Sequence, residues 1–288
     1  METKSRNRDC RSVGPLNTSR HVVENLNVNH HTQISSLWRR IMPVCLIGGA
    51  LCAHLCHAQT EGQDSGDNGP ISGGANVVVS SQYVWRGIIL ENQAVIQPMM
   101  WTSDRHFTFS LWNSRAFDHP SDAVAGDELD FAVAYETVFI GMDSEVSFGY
   151  YLYPHQADAP STGEVTATLS VPFSLCTLQC TNSIDVIHYH GAYYGEASLA
   201  LPRNFSKEFT GELSAYAGWA SAEFNDVYAA SRQASVNSLG TRASLDYRFG
   251  GGCHLAPSME WCRAMFADAQ GRTPRSLFIL GTTFEVEF

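Results

Sequence analysis

A chain of 288 residues in which only 16% are charged, 11% are aromatic and 23 are glycine, with a formal net charge of −11, is poor in charge beside the roughly 25% of ordinary soluble domains. The acidic surplus excludes nucleic acid as a partner, because binding it needs a basic face. Length permits one or two domains and decides nothing more.

Residues 1–36 are polar and rich in Asn, Arg and His, with no sustained apolar period, and read as a disordered extension ahead of a start near Leu37. The apolar run Ile41–Cys56 is shorter than the roughly 20 residues a helix needs to cross a bilayer. Arg39-Arg40 precedes it and Cys56-His57-Ala58-Gln59 follows, so 37–58 reads as a secretory signal cut after Ala58. A buried globular helix is the rival reading, disfavoured by Gly48-Gly49 and the abrupt polar stretch beyond. Cys52 and Cys56 both follow leucine, which does not suit a lipid-anchor site. Beyond Ala58 the chain keeps 11 Lys and Arg against 26 Asp and Glu.

Residues 59–73 form a Gly/Asp-rich flexible leader. Between 74 and 288 the chain becomes a succession of alternating segments. Phe107, Phe109 and Leu111 oppose Thr108, Ser110 and Trp112, and Leu129, Phe131, Val133 and Tyr135 oppose Asp130, Ala132, Ala134 and Glu136. The pattern returns over 145–153, 164–171, 212–219 and 242–249. A period of two gives each strand one apolar and one polar face, where a helix would show 3.6. Asp118-His119-Pro120, Gly141-Met142-Asp143, Pro202-Arg203-Asn204 and Gly250-Gly251-Gly252 supply turns. Segments near 75–86, 94–102, 105–113, 128–138, 144–153, 163–171, 182–190, 192–201, 209–219, 237–249, 254–264 and 276–288 make about twelve strands, an even number as bacterial membrane barrels have.

Cys176, Cys180, Cys253 and Cys262 remain after the signal, and an even number in an oxidising compartment suggests disulfides. Three connectivities are open, Cys176 with Cys180 and Cys253 with Cys262 among them. A zinc site is the rival, weakened by the four-residue step without a ligand knuckle.

Alternation alone suits a soluble sandwich as well as a membrane barrel. The last segment favours the membrane. Phe278, Leu280, Thr282, Phe284, Val286 and Phe288 share one face and Glu285 and Glu287 the other. An apolar row through Phe284, Val286 and Phe288 resembles the terminal signal by which outer-membrane barrels are recognised for assembly. The expected fold is all-β, a single antiparallel transmembrane barrel in a bacterial outer membrane, with lipids and the barrel-assembly machinery as partners.

Ser80-Ser81-Gln82-Tyr83-Val84-Trp85-Arg86-Gly87-Ile88, followed by Gln97-Pro98, resembles the opening strand of the TorF-like family of outer-membrane porins, with its Ser-x-Tyr-x-aromatic-Arg-Gly-Ile pattern. The resemblance covers residues 75–102. Gln82 stands where an acidic residue is frequent, and the chain diverges after Ile89. The resemblance implies a porin.

If apolar faces meet lipid, the lumen is lined by Arg86, Asp130, Glu136, Glu145, Glu164, Glu196, Glu212, Arg242, Asp246, Arg248, Glu260, Glu285 and Glu287. Carboxylates around water lower the energy of cations, so the expected function is passive diffusion of small solutes or ions with mild cation preference. The competing reading pairs these acids with Arg86, Arg242 and Arg248 in a plugged interior. Arg86 is expected at the barrel seam against Glu285 or Glu287, or else solvated in the lumen. Trp85, Trp101, Trp112, Tyr150, Tyr153, Tyr193, Trp219 and Trp261 are candidate interfacial-belt residues, with core packing as the alternative. No cofactor is implied.

Two other function classes stand beside the pore. A non-conducting structural or adhesive barrel is one, though loops 114–127, 154–162 and 225–236 are modest for a receptor surface. A barrel lipase or acyltransferase is the other. His188 and His190 in IHYHG would share one face of a strand and could serve as base or metal ligands, but no Gly-x-Ser-x-Gly accompanies them, so the chain is not read as an enzyme.

Overall fold

The computed structural model describes residues 71–117, 127–154, 156, 159–265 and 276–288. The extension 1–36, the signal 37–58 and the leader as far as Pro70 lie outside the described residues. The leader is shorter than expected at its far end, because the first strand already begins at Ser72.

The strands are β1 (Ser72–Ser80), β2 (Tyr83–Trp85), β3 (Ile88–Glu91), β4 (Val95–Asp104), β5 (Phe107–Ala116), β6 (Glu128–Phe139), β7 (Met142–Leu152), β8 (Thr162–Pro172), β9 (Thr177–Asp185), β10 (Tyr193–Asn204), β11 (Phe209–Ala220), β12 (Ser235–Gly250), β13 (Cys253–Ala264) and β14 (Ser276–Glu287). Among the described residues one helix, α1 (Ala222–Tyr228), lies between β11 and β12. Among the described residues, β1 and β4–β14 form a closed antiparallel barrel of twelve strands, and β2 and β3 make a separate two-stranded hairpin.

Closure is made by β1 against β14, with Asn76 opposite Glu285 and Val77 opposite Phe284, and β1 pairs β4 on its other side. Among the described residues no barrel strand keeps a free edge, so the backbone polar groups of the strands are paired without water, the condition for crossing hydrocarbon. The barrel strands run 9 to 16 residues, enough for tilted strands to cross a bilayer.

One rim, here the turn end, carries the start of β1, the end of β14 and short links such as Arg105-His106, Ile140-Gly141 and Gly251-Gly252. The opposite rim, the loop end, carries the longer excursions 81–94, 153–161, 186–192 and 221–234.

Side-chain parity follows the sequence alternation. Phe109, Phe131, Val146, Leu213, Phe278 and Leu280 are exposed on the outside, while Thr108, Asp130, Ser147 and Thr168 are buried on the inner wall. An exposed apolar cylinder over a polar interior inverts the arrangement of a soluble protein and matches a hydrocarbon environment.

Three local expectations are corrected. The predicted strand 75–86 breaks at Ser80, whose hydroxyl donates to the Gln82 carbonyl, and the chain turns inward as β2. The predicted strand 182–190 is instead β9 at 177–185, containing most of the CTLQC element. It ends where the Asp185 carboxylate accepts the backbone N–H groups of Ile187 and Tyr189, satisfying the next residues locally instead of through a ladder. His188 and His190 therefore lie in a loop and share no strand face. Residues 225–236, read as loop, start inside α1, which is capped by the Ser221 hydroxyl accepting from Phe224 N–H.

The cysteine expectation is also corrected: Cys176, Cys180, Cys253 and Cys262 are free thiols. Cys253 and Cys262 stand at opposite ends of β13. Nine strand residues span about 30 Å, far beyond the roughly 7 Å limit for a disulfide.

Candidate functional site: the barrel lumen

The lumen is occupied at its loop end by the β2–β3 hairpin and α1. A two-residue turn, Arg86-Gly87, joins the two short strands with both φ angles positive, 49° and 81°. Such turns twist in the sense that strands require, and a glycine at the second position adopts this backbone without penalty. Gly87 also approaches β12 so closely that an added Cβ would lie 2.9 Å from the Asn237 carbonyl oxygen.

An aromatic cluster holds these pieces inside the wall. Trp85 packs against Phe224 and Tyr228 at centroid distances of 5.4 and 5.3 Å, and Tyr194 from β10 packs on Phe224 at 5.6 Å. Tyr83 stacks edge-on against Trp112 and its hydroxyl donates to Glu128. Tyr189, on the loop after β9, closes over Tyr228, and burial, helped by the Asp185 charge, pushes its phenol up to about 12. Trp85, Trp101, Trp112 and Tyr153 are buried in this cluster, so they are not belt residues. Tyr150, Tyr193, Trp219 and Trp261 fall on the outward parity, where Trp219 Nε1 donates to the Tyr193 hydroxyl.

Arg86 sits within the cluster. Its Nη1 and Nη2 donate to the two carboxylate oxygens of Glu164 on β8 at 2.8 and 2.7 Å. The side chains are 8% and 1% exposed. Its guanidinium carbon lies 4.4 Å from the Trp85 ring centre and 4.7 Å from that of Tyr194. The expected seam contact with Glu285 or Glu287 is corrected: the hairpin carries Arg86 to the loop end, whereas Glu285 and Glu287 lie at the turn end. Glu285 instead accepts from Asn76 at the seam.

The remaining predicted lumen residues occupy inward positions of the wall at two depths. Asp130 of β6, Glu164 of β8 and Glu196 of β10 lie toward the loop end. Glu136, Glu145, Glu212, Asp246, Arg248, Glu285 and Glu287 lie toward the turn end. Glu136 stands directly across the β6–β7 ladder from Glu145. Between the two depths Arg242 donates through Nε and Nη2 to Glu260, at 2.9 and 2.6 Å, while the Tyr216 hydroxyl donates to the other oxygen of the same carboxylate. His254, facing Asp246 at 3.3 Å, adds a titratable group near the turn end.

Three inward carboxylates carry no mark in the expected lumen set: Asp143, which shares the parity of Glu145 on β7, Glu128 and Asp185. Glu128 shares the parity of Asp130, and the alternation Glu-Leu-Asp carried that signal. Asp185 accepts from the Thr162 hydroxyl and faces Glu164 across the β8–β9 ladder. The stretch 182–190 gives no clean alternation, since Asp185 shares its parity with Ile187 and Tyr189, so no polar face marks it.

Packing of the lumen is one-sided. Gln97, Met99, Thr108, Trp112, Ser147, Thr166 and Ser170, on β4–β8, are buried, and a ladder of hydroxyl pairs, Thr166 with Ser183 and Thr168 with Thr181, runs down β8 and β9. On β10–β14 the inward residues Ser198, Glu212, Ser214, Arg242, Ser244, Ser258 and Glu285 stay partly exposed. At the loop end of that wall Asn237, Ser238, Cys262 and Ala264 are buried again. The inward side chains of β10–β14 thus keep more contact with solvent than those of β4–β8, except at the loop end beneath the hairpin.

A family profile described as "Bacterial protein of unknown function (Gcw_chp)" matches residues 64–182. No curated protein matches the chain. Among solved structures the chain is similar to an outer membrane channel from Pseudomonas putida F1, at 10% identity over 79% of this chain and 99% of that one, with a TM-score of 0.43. It is also similar to the KdgM porin, at 9% identity over 75% and 99% with a TM-score of 0.47, and to the NanC porin, at 6% identity over 73% and 98% with a TM-score of 0.47.

Proposed function

We propose that this chain is a bacterial outer-membrane barrel of the porin type, passing small solutes or ions with a mild preference for cations, in a conformation narrowed at its loop end by the β2–β3 hairpin and α1. The observation that carries the reading is a closed twelve-stranded barrel with an apolar exterior around a lumen in which carboxylates outnumber guanidiniums. Along the accessible β10–β14 wall stand Glu196, Glu212, Asp246, Glu260, Glu285 and Glu287 against Arg242 and Arg248. Excess negative charge in a confined aqueous path favours cations. Twelve strands lie between the eight that side chains fill and the 16 to 18 that leave a wide channel, so conduction depends on how far the hairpin fills the bore. The SSQYVWRGI segment supports kinship with the TorF-like porins. The outward row Phe284, Val286 and Phe288 supports recognition by the barrel-assembly machinery.

Planar-bilayer recording of the purified protein tests the pore. Discrete conductance steps whose reversal potential in a salt gradient favours potassium over chloride are expected. Absence of steps, or anion preference, overturns the reading. The second reading, a non-conducting structural barrel, is favoured by one observation: the inner wall of β4–β9 is packed and the hairpin is docked across the loop end. A lipase or acyltransferase is not favoured, since His188 and His190 are in a loop and share no strand face.

A further inference from the structure

The surroundings of Arg86 have the composition of a ligand site. Glu164 presents both oxygens to the two terminal nitrogens of the guanidinium, the fork geometry that carboxylates and guanidiniums share. Aromatic faces complete the enclosure: the guanidinium carbon is 4.7 Å from the Tyr194 ring centre and 5.7 Å from that of Phe224, within the range where a ring attracts a cation. Glu164 comes from β8, Tyr194 from β10 and Phe224 from α1, so none of the three belongs to the hairpin that delivers Arg86. Trp85 alone travels with it. Asp185, directly across the β8–β9 ladder from Glu164, adds a second carboxylate at this depth, while Arg242 is engaged by Glu260 nearer the turn end.

We propose that Arg86 is the tethered occupant of an organic-cation site, and that a guanidinium or alkylammonium solute takes the same position on Glu164, between Tyr194 and Phe224, when the hairpin withdraws. The tether explains why the hairpin stays docked: an attached cation competes at high effective concentration with any free one, so the site is filled from within until the hairpin moves. The role in transport rests on the pore reading; binding itself does not.

The test uses the full chain purified in detergent, with Arg86→Ala to vacate the site and Arg86→Ala/Glu164→Gln to remove its anion. Ethylguanidinium at low millimolar concentration is the probe and potassium at equal concentration the control. Ethylguanidinium is expected to raise the thermal unfolding midpoint of Arg86→Ala by several degrees, leaving the wild type and the double variant unmoved, and potassium is expected to do nothing. If Arg86→Ala fails to fold alone, the readout becomes its heat-modifiable gel band, which ethylguanidinium and not potassium should restore. Equal response of Arg86→Ala and wild type, an equal effect of potassium, or a response that survives Glu164→Gln overturns the proposal. Bilayer recordings separate it from the pore reading. Binding without conductance in any variant sinks the pore and leaves the site standing; conductance in Arg86→Ala that ethylguanidinium neither blocks nor binds sinks the site and leaves the pore.

Discussion

Arg86 and Glu164, 78 residues apart in sequence, meet through two parallel contacts of 2.8 and 2.7 Å inside the barrel. This pair joins the hairpin inside the lumen to the barrel wall. Both partners are almost fully buried, so the pair costs desolvation when it forms and more when it is broken on one side only.

Removing one partner should therefore destabilise the folded barrel more than removing both. Glu164→Gln alone should cost about 3–5 kcal/mol, the range for an orphaned buried charge, and a cycle with Arg86→Gln should show strong non-additivity. Denaturant unfolding from lipid vesicles measures all three variants. Additive losses would show that the pair is not a unit.

Gly87→Ala should loosen the hairpin without touching either charge. The φ of 81° and the 2.9 Å approach to the Asn237 oxygen combine a left-handed backbone cost of about 1–2 kcal/mol with a clash against backbone. Expected outcomes are trypsin cleavage after Arg86 in the variant, where the wild type resists, and a larger mean conductance. Equal resistance of the two proteins would count against the docked hairpin.

Selectivity should follow the accessible wall. Glu212→Gln with Glu285→Gln should lower the potassium-to-chloride permeability ratio, while Arg242→Gln should raise it. Reversal potentials across a salt gradient read both changes. A ratio that ignores these residues would place the conduction path elsewhere.

Parity predicts opposite tolerance on the two faces. Phe148 faces outward at the middle of β7, and Phe148→Arg should cost about 2–4 kcal/mol, as a cation does at the bilayer midplane. Ser244 faces the lumen opposite Glu212, and Ser244→Lys should be nearly neutral. Unfolding titrations in vesicles compare them.

The thiols give a chemical check. Protein purified without reductant and unfolded in the presence of maleimide should be labelled at Cys176, Cys180, Cys253 and Cys262, because no described pair is bonded. Peptide mapping that finds an intact disulfide among them would contradict the structure.

The wall of the barrel was legible in the sequence because its rule is local. A period of two assigns each side chain to a face, so Phe131 outward and Asp130 inward, or Phe284 outward and Glu285 inward, needed no knowledge of distant residues. The number of barrel strands followed from the same rule.

What the rule could not supply was the filling. Residues 80–91 continue the apolar composition of β1, and nothing local says that the chain leaves the wall at Ser80 to enter the lumen. That departure is stabilised through contacts with β5, β6, β8, β10, α1 and β12, elements roughly 30 to 150 residues away. For the same reason α1, only seven residues long, has too few turns for a helical period to register and exists by packing Phe224 and Tyr228 against Trp85. Sequence by itself determined the strand count, the faces and the acidic inner wall, since backbone geometry alternates every residue. Tertiary structure alone decided that Arg86 lies on Glu164 beneath the loop end, because the partners of a buried charge are chosen by burial across the whole barrel.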